Sequence, residues 1–181
     1  MFFLCLGISS CENDLDNIAK LTTEDTSADE LSDSLTIVYT DSAKVKFIIF
    51  GQKVQKYNKP KPMTIINDGL KVEFFNSAGE QKAVLTSLYG EIKDKEGKLI
   101  CKYDVVFKNL EKGQTLFTEE LQWNQQTKKI FTPGKVTIQK GNDFLYGIGM
   151  QANEDFSWYE IIEPTAKVRT DKDSTSNEDV Q

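Results

Sequence analysis

The chain contains no histidine. That removes the imidazole base of Ser-His-Asp and Cys-His nucleophile systems and the commonest metal ligand. Its three cysteines, Cys5, Cys11 and Cys101, are too few and too scattered for a disulfide framework or a four-cysteine zinc site. Basic charge is also short: 22 Lys and Arg stand against 28 Asp and Glu, a net charge of -6. No positive field draws in a phosphate backbone, which argues against nucleic acid as a partner. The longest apolar run lies within residues 1–8, far short of the ~20 residues that span a bilayer. What remains is a chain of 181 residues with 39% apolar side chains, enough for one core plus tails. Composition points away from catalysis and towards binding or structure, and it implies no cofactor and no metal.

Residues 1–11 read Met-Phe-Phe-Leu-Cys-Leu-Gly-Ile-Ser-Ser-Cys. Ile8-Ser9-Ser10-Cys11 resembles a lipobox, in which an aliphatic and two small residues precede a cysteine, although no Lys or Arg comes before the apolar stretch. Small side chains fit beside the bond a signal peptidase cuts, and a free thiol accepts the diacylglycerol. On this reading residues 1–10 are a processing segment and Cys11 is a lipid anchor to a membrane. Residues 11–34 are then an acidic tether, in which the isolated apolars Ile18, Leu21 and Leu31 make no helical face. The alternative is a buried N-terminal strand with an incidental cysteine.

From Leu35 the pattern turns to period two. Leu35–Thr40 and Lys44–Phe50 flank an Asp-Ser turn and read as a hairpin. Gly51–Met63, with Lys53, Lys56, Lys59 and Lys61, reads as an exposed loop. Three similar blocks follow, each a strand, a turn ending on Gly79, on Gly113 or around Gly141, and a second strand. Further turns are expected at 93–97 and 124–127. No stretch shows a helical apolar face, so the body over 35–163 is all-β: a sandwich, an open roll or a short solenoid. Residues 164–181 are almost wholly polar and read as a disordered tail, with at most one edge strand at 166–169.

The order Asp104-Val105-Val106-Phe107, Gly113, Leu116–Asn124, Thr127–Ile130 and Val136-Thr137-Ile138 resembles the repeat of the OstA-like β-jellyroll superfamily. The Cys11 lipobox at the start and Tyr146–Met150 followed by Ala152–Phe156 at the end narrow the likeness. Together they are similar to the periplasmic LptC family of lipopolysaccharide export, in the lipoprotein form of Bacteroidetes-type bacteria.

The resemblance implies an open, twisted, V-shaped jellyroll of stacked antiparallel hairpins, with no enzymatic chemistry. It implies an interior that holds the acyl chains of lipid A. The candidates for that groove are Val45, Phe47, Ile49, Val72, Phe74, Leu85, Ile100, Val105, Phe107, Leu121, Trp123, Ile130, Val136 and Ile138, which alternation alone would equally place in a closed core. The net negative charge favours holding acyl chains over gripping phosphates, although the Lys53–Lys61 cluster offers a transient phosphate contact. Implied partners are lipopolysaccharide, the permeases of the inner-membrane ABC transporter, and a second jellyroll bridge protein reached by strand addition. Leu35, Ile37 and Tyr39 would form the first partner edge. Phe144, Tyr146, Ile148 and Met150, or else Trp158–Ile162, would form the last, and Gly147 and Gly149 suggest a bulge or a close backbone approach. The implied location is the periplasm, on the inner membrane. A β-rich envelope lipoprotein with a structural or adhesive role is the competing reading, separated by whether the sheet keeps an open apolar groove. A carboxylate hydrolase built on Asp104, Glu119 or Glu120 is disfavoured, since adjacent strand residues point to opposite faces.

Overall fold

A computed structural model describes residues 27–154 and 156–169. Residues 1–10, Cys11, the tether as far as residue 26 and the tail from residue 170 lie outside the described residues. Eleven antiparallel strands follow in chain order: β1 Glu30–Asp41, β2 Lys44–Tyr57, β3 Met63–Ile66, β4 Leu70–Phe75, β5 Gln81–Ser87, β6 Tyr89–Lys93, β7 Lys98–Asn109, β8 Gln114–Asn124, β9 Lys129–Lys140, β10 Asp143–Asn153 and β11 Tyr159–Arg169. The described residues hold no α-helix, only one turn of 3₁₀ helix at Asp94–Glu96. The expected turns after residues 41, 75, 93, 109, 124 and 140 are all present.

Two of the long strands, β2 and β7, each serve two half-sheets. β2 pairs β4 through Phe47–Gly51 and β3 through Val54–Tyr57. β7 pairs β6 through Lys98–Lys102 and β5 through Val106–Asn109. The switch falls at a crease that crosses the whole sheet. It is marked by left-handed backbone at Lys53 (φ 51°) on β2 and at Tyr103 and Asp104 (φ 64° and 49°) on β7. On β8 and β9 the register shifts between Thr118 and Gln122. There the Thr118 hydroxyl donates to the Lys135 carbonyl at 2.9 Å and accepts from the buried Thr132 hydroxyl at 3.0 Å. An extra residue in one strand bends it and sharpens its twist. Aligned across neighbours, such irregularities fold one sheet into two limbs that face each other.

The expectation for the paired glycines of β10 holds in both senses. Gly149 sits at φ 71° where the register against β9 slips, a conformation side-chain-bearing residues rarely take. Gly147 lies where a Cβ would press on the Ile161 side chain and come within 2.8 Å of the Glu163 carbonyl oxygen. β11 therefore packs directly on bare backbone. Its far end is pinned by Arg169, whose Nε donates to Asp143 at 2.9 Å and holds that carboxyl below its usual range.

Between the limbs lies one continuous apolar cluster that includes Ile49, Ile66, Val72, Leu85, Val105, Leu121 and Val136. Two boundaries move. β1 starts at Glu30, within the stretch read as tether, and β11 continues to Arg169, past the boundary at 163. Both ends are exposed on each face, so no apolar alternation marks them. β2 also runs into the stretch read as a loop, as far as Tyr57, with Val54 buried on it: Lys53 and Lys56 stand on this part, opposite Asp33 and Glu30 at 3.3 and 3.8 Å.

Candidate functional site

An aromatic file crosses the interior from strand to strand. Tyr39 on β1 stacks on Phe47 of β2 at 4.5 Å between ring centroids, and Phe47 meets Trp123 of the opposite limb edge-on at 5.1 Å. Phe74 on β4 bridges Phe47 at 6.0 Å and Phe107 of β7 at 5.9 Å. Phe107 ends the file in a 3.8 Å stack on Phe156, in the β10–β11 connection. Offset and edge-on rings at these separations gain about 0.5–1.5 kcal/mol per pair beyond their burial.

The file opens on a cleft of ≈ 470 Å³ at the free end of the limbs. Its floor is Tyr39, Phe47, Phe74 and Trp123. Its rim carries Lys46, Lys82 and Lys128 against Asp41, Glu111 and Glu154. Three cations against three anions give the mouth no net sign with which to hold a phosphate. Deeper in, space shrinks to two pockets of ≈ 20 Å³ each. One lies among Phe47, Phe74, Leu121 and Trp123, the other under Leu116, Ile138 and Met150. Each has room for about one water. The site is thus an open mouth over a closely packed apolar strip.

Of the fourteen residues expected to line a groove, Phe47, Ile49, Val72, Leu85, Val105, Phe107, Leu121, Ile130, Val136 and Ile138 are buried in the cluster, with Phe74 and Trp123 half-buried against it. Two are corrected. Val45 is 37% exposed and lines an outer pocket with Ile48 and the 76–79 turn. Ile100 lies outside the inner cluster, which takes Leu99 and Cys101 instead. Alternation gives a strand two registers, and a one-residue shift exchanges its faces. Sequence alternation also missed Leu116, Met150 and Phe156.

The edge residues divide. Leu35, Ile37 and Tyr39 lie on β1, whose one strand partner among the described residues is β2, and their side chains cover the core. Phe144, Tyr146, Ile148 and Met150 do not form an edge, because β10 is paired on both sides, by β9 and β11. Met150 is only 1% exposed and belongs to the core. The outer strand at that end is β11.

Lys53 and Lys56 are engaged with carboxylates and do not line the cleft. Asp104 and Glu119 are exposed, and Glu120 accepts from Gln122 Nε2 at 2.5 Å. The Cys101 thiol is fully buried and pushed up to about 12 by desolvation, against a weaker opposing hydrogen bond to Ser87. It is a packing group without thiolate character. No helix of the described residues is long and apolar enough to cross a membrane.

A comparison with curated proteins returns no match. A family model described as Lipopolysaccharide-assembly, LptC-related matches residues 2–172, nearly the whole chain. The all-β antiparallel jellyroll is the architecture expected of such a chain, and the family works in lipopolysaccharide transport at the cell envelope. On that match and this fold, the chain belongs to the LptC-related family of lipopolysaccharide assembly.

Proposed function

We propose that this protein is a bridge component that takes lipopolysaccharide from the inner-membrane ABC transporter and passes it to a second jellyroll protein. It holds the lipid A acyl chains between its limbs and performs no bond chemistry. The observation that carries the reading is the cleft: an aromatic floor under a charge-balanced rim, continuous with an apolar strip between two limbs joined by a crease. Each CH₂ moved from water onto such a surface contributes about 0.8 kcal/mol. That gain opposes the loss of limb-to-limb packing, so entry beyond the cleft requires the limbs to part. With three lysines offset by three carboxylates at the mouth, the head group stays in water and release breaks no strong ion pair.

Photo-crosslinking tests the reading. A photoreactive residue at Phe74, on the cleft floor, or at Phe107, one ring deeper, should capture lipopolysaccharide in cells. At Lys95, in the exposed 3₁₀ turn, it should not. Equal capture at all three positions would sink the acyl-chain groove.

Cys11 is the proposed anchor. Two or more acyl chains hold a protein to a bilayer where one gives only marginal binding. The mass of the mature N-terminus should show a triacylated or diacylated Cys11 as the first residue. An intact, unmodified segment 1–11 would remove the anchor.

A further inference from the structure

Phe156 occupies an unusual place. It follows the end of β10, in a short connection rather than on a strand, yet it is only 6% exposed. Its backbone is left-handed, at φ 51°, a costly conformation for an aromatic residue. The surroundings hold it there. Lys112, in the β7–β8 turn, reaches across to donate its ammonium to the Phe156 carbonyl at 2.5 Å and the Ser157 carbonyl at 3.1 Å. Asn153 accepts from the Trp158 amide at 3.0 Å, and the Phe156 amide donates to the Asn153 carbonyl at 3.0 Å. These hydrogen bonds fix a loop in which, among the described residues, the inward side chain is a phenyl ring.

That ring stands between the two small interior spaces and touches both. The first shares Phe47, Phe74 and Trp123 with the open cleft, so it is the cleft's inward continuation. The second lies beyond, under β8–β10. Phe107 and Phe156, stacked face to face, are the residues common to both spaces. Phe107 is part of a core strand. Phe156 is inserted from a loop and is not needed to complete a sheet.

We infer that Phe156 is the specificity-determining stop of the groove: it sets how far an acyl chain reaches from the cleft towards β11. This rests on the proposed acyl-chain reading and adds a length limit to it. Removing the ring joins the two spaces into one apolar cavity. Apolar cavities of order 150 Å³ stay dry and take up hydrocarbon guests, so the freed volume offers a longer chain a place to go.

The test uses the full chain carrying Cys11→Ala, so that no anchor lipid competes, and titrates it calorimetrically with fatty acids from octanoate to palmitate. The parent protein should bind more tightly as the chain lengthens and then level off. In Phe156→Ala the rise should continue, with palmitate bound at least tenfold tighter than by the parent and octanoate unchanged within twofold. Phe156→Leu, which keeps the site apolar and serves alone if the alanine variant fails to fold, should fall between them. Identical length profiles in parent and variant would overturn the stop while leaving the acyl-chain groove standing. Failure of the parent to bind any of the acids would instead strike the groove reading itself.

Discussion

Phe107→Ala should lower unfolding stability by about 3–5 kcal/mol, the range for deleting a buried aromatic from a packed core. Phe107 is 3% exposed and touches rings on two sides, Phe74 at 5.9 Å and Phe156 at 3.8 Å. Phe74 belongs to the same file but is half-buried at the cleft. Part of its surface already meets water, so Phe74→Ala should cost less, roughly 2–3 kcal/mol. Urea unfolding of the three proteins measures both losses from the shift in midpoint at constant m. Lipid capture should rank the other way, with Phe74→Ala losing more than its stability cost explains. Because Phe107 and Phe156 are in direct contact, their alanine substitutions should not add. A double-mutant cycle should show coupling of about 0.5–1.5 kcal/mol. Equal costs at positions 74 and 107 would mean that the file is a uniform core with no functional open end.

That prediction turns on a distinction the sequence does not carry. Alternation in Val72-Glu73-Phe74 and Val105-Val106-Phe107 marks inward positions, and it found the interior of β4, β5, β7, β8 and β9. It says nothing about which inward residue sits at the mouth and which is sealed, because both have the same period. It also leaves the phase open wherever three apolar residues adjoin. Leu99-Ile100-Cys101 is such a run, and the facing limb chose its odd members. Val45 shows the limit at a strand end, where the register against β1 slips between Tyr39 and Thr40 and the inward phase is lost.

Turns were legible because their chemistry is local: Asn76 closes the 76–79 turn by accepting from the amides of Ala78 and Glu80, each at 3.0 Å. Edges were half legible. Phe144–Met150 and Trp158–Ile162 both read as candidates for the last edge, and the second falls on β11, the outer strand, whose Tyr159 and Ile161 pack against the core. What composition hides is how far β11 runs, because Ile162 to Arg169 are exposed and show no apolar face. Phe156 was hidden for the opposite reason. It is buried by a loop that Lys112 fastens from 44 residues away in sequence, and no periodicity describes that.

Strand addition at β1 should leave a signature of period two. In an antiparallel strand each residue turns both its N–H and its C=O to one neighbour, and the next residue turns both to the other side. With β2 on one side and no second strand among the described residues on the other, alternate amides of β1 face away from β2, where the proposed docking on the transporter permeases would use them. Proline at a position whose amide bonds to β2 deletes a ladder bond and should cost about 1–3 kcal/mol of stability. Proline at the next position meets open space, is tolerated in an edge strand, and should instead weaken docking on the transporter permeases by about tenfold or more, the equivalent of one hydrogen bond of ~1.4 kcal/mol or better. Substituting Leu35, Thr36, Ile37 and Val38 in turn covers two full periods. Leu35 and Ile37 also cover the core while Thr36 and Val38 face outward, so alanine at each position supplies the side-chain loss to subtract. After subtraction, stability and docking should fall at alternate positions and out of phase with each other. If both fall at the same positions, docking depends only on a folded β1, and the partner takes hold elsewhere, with β11 the remaining outer strand.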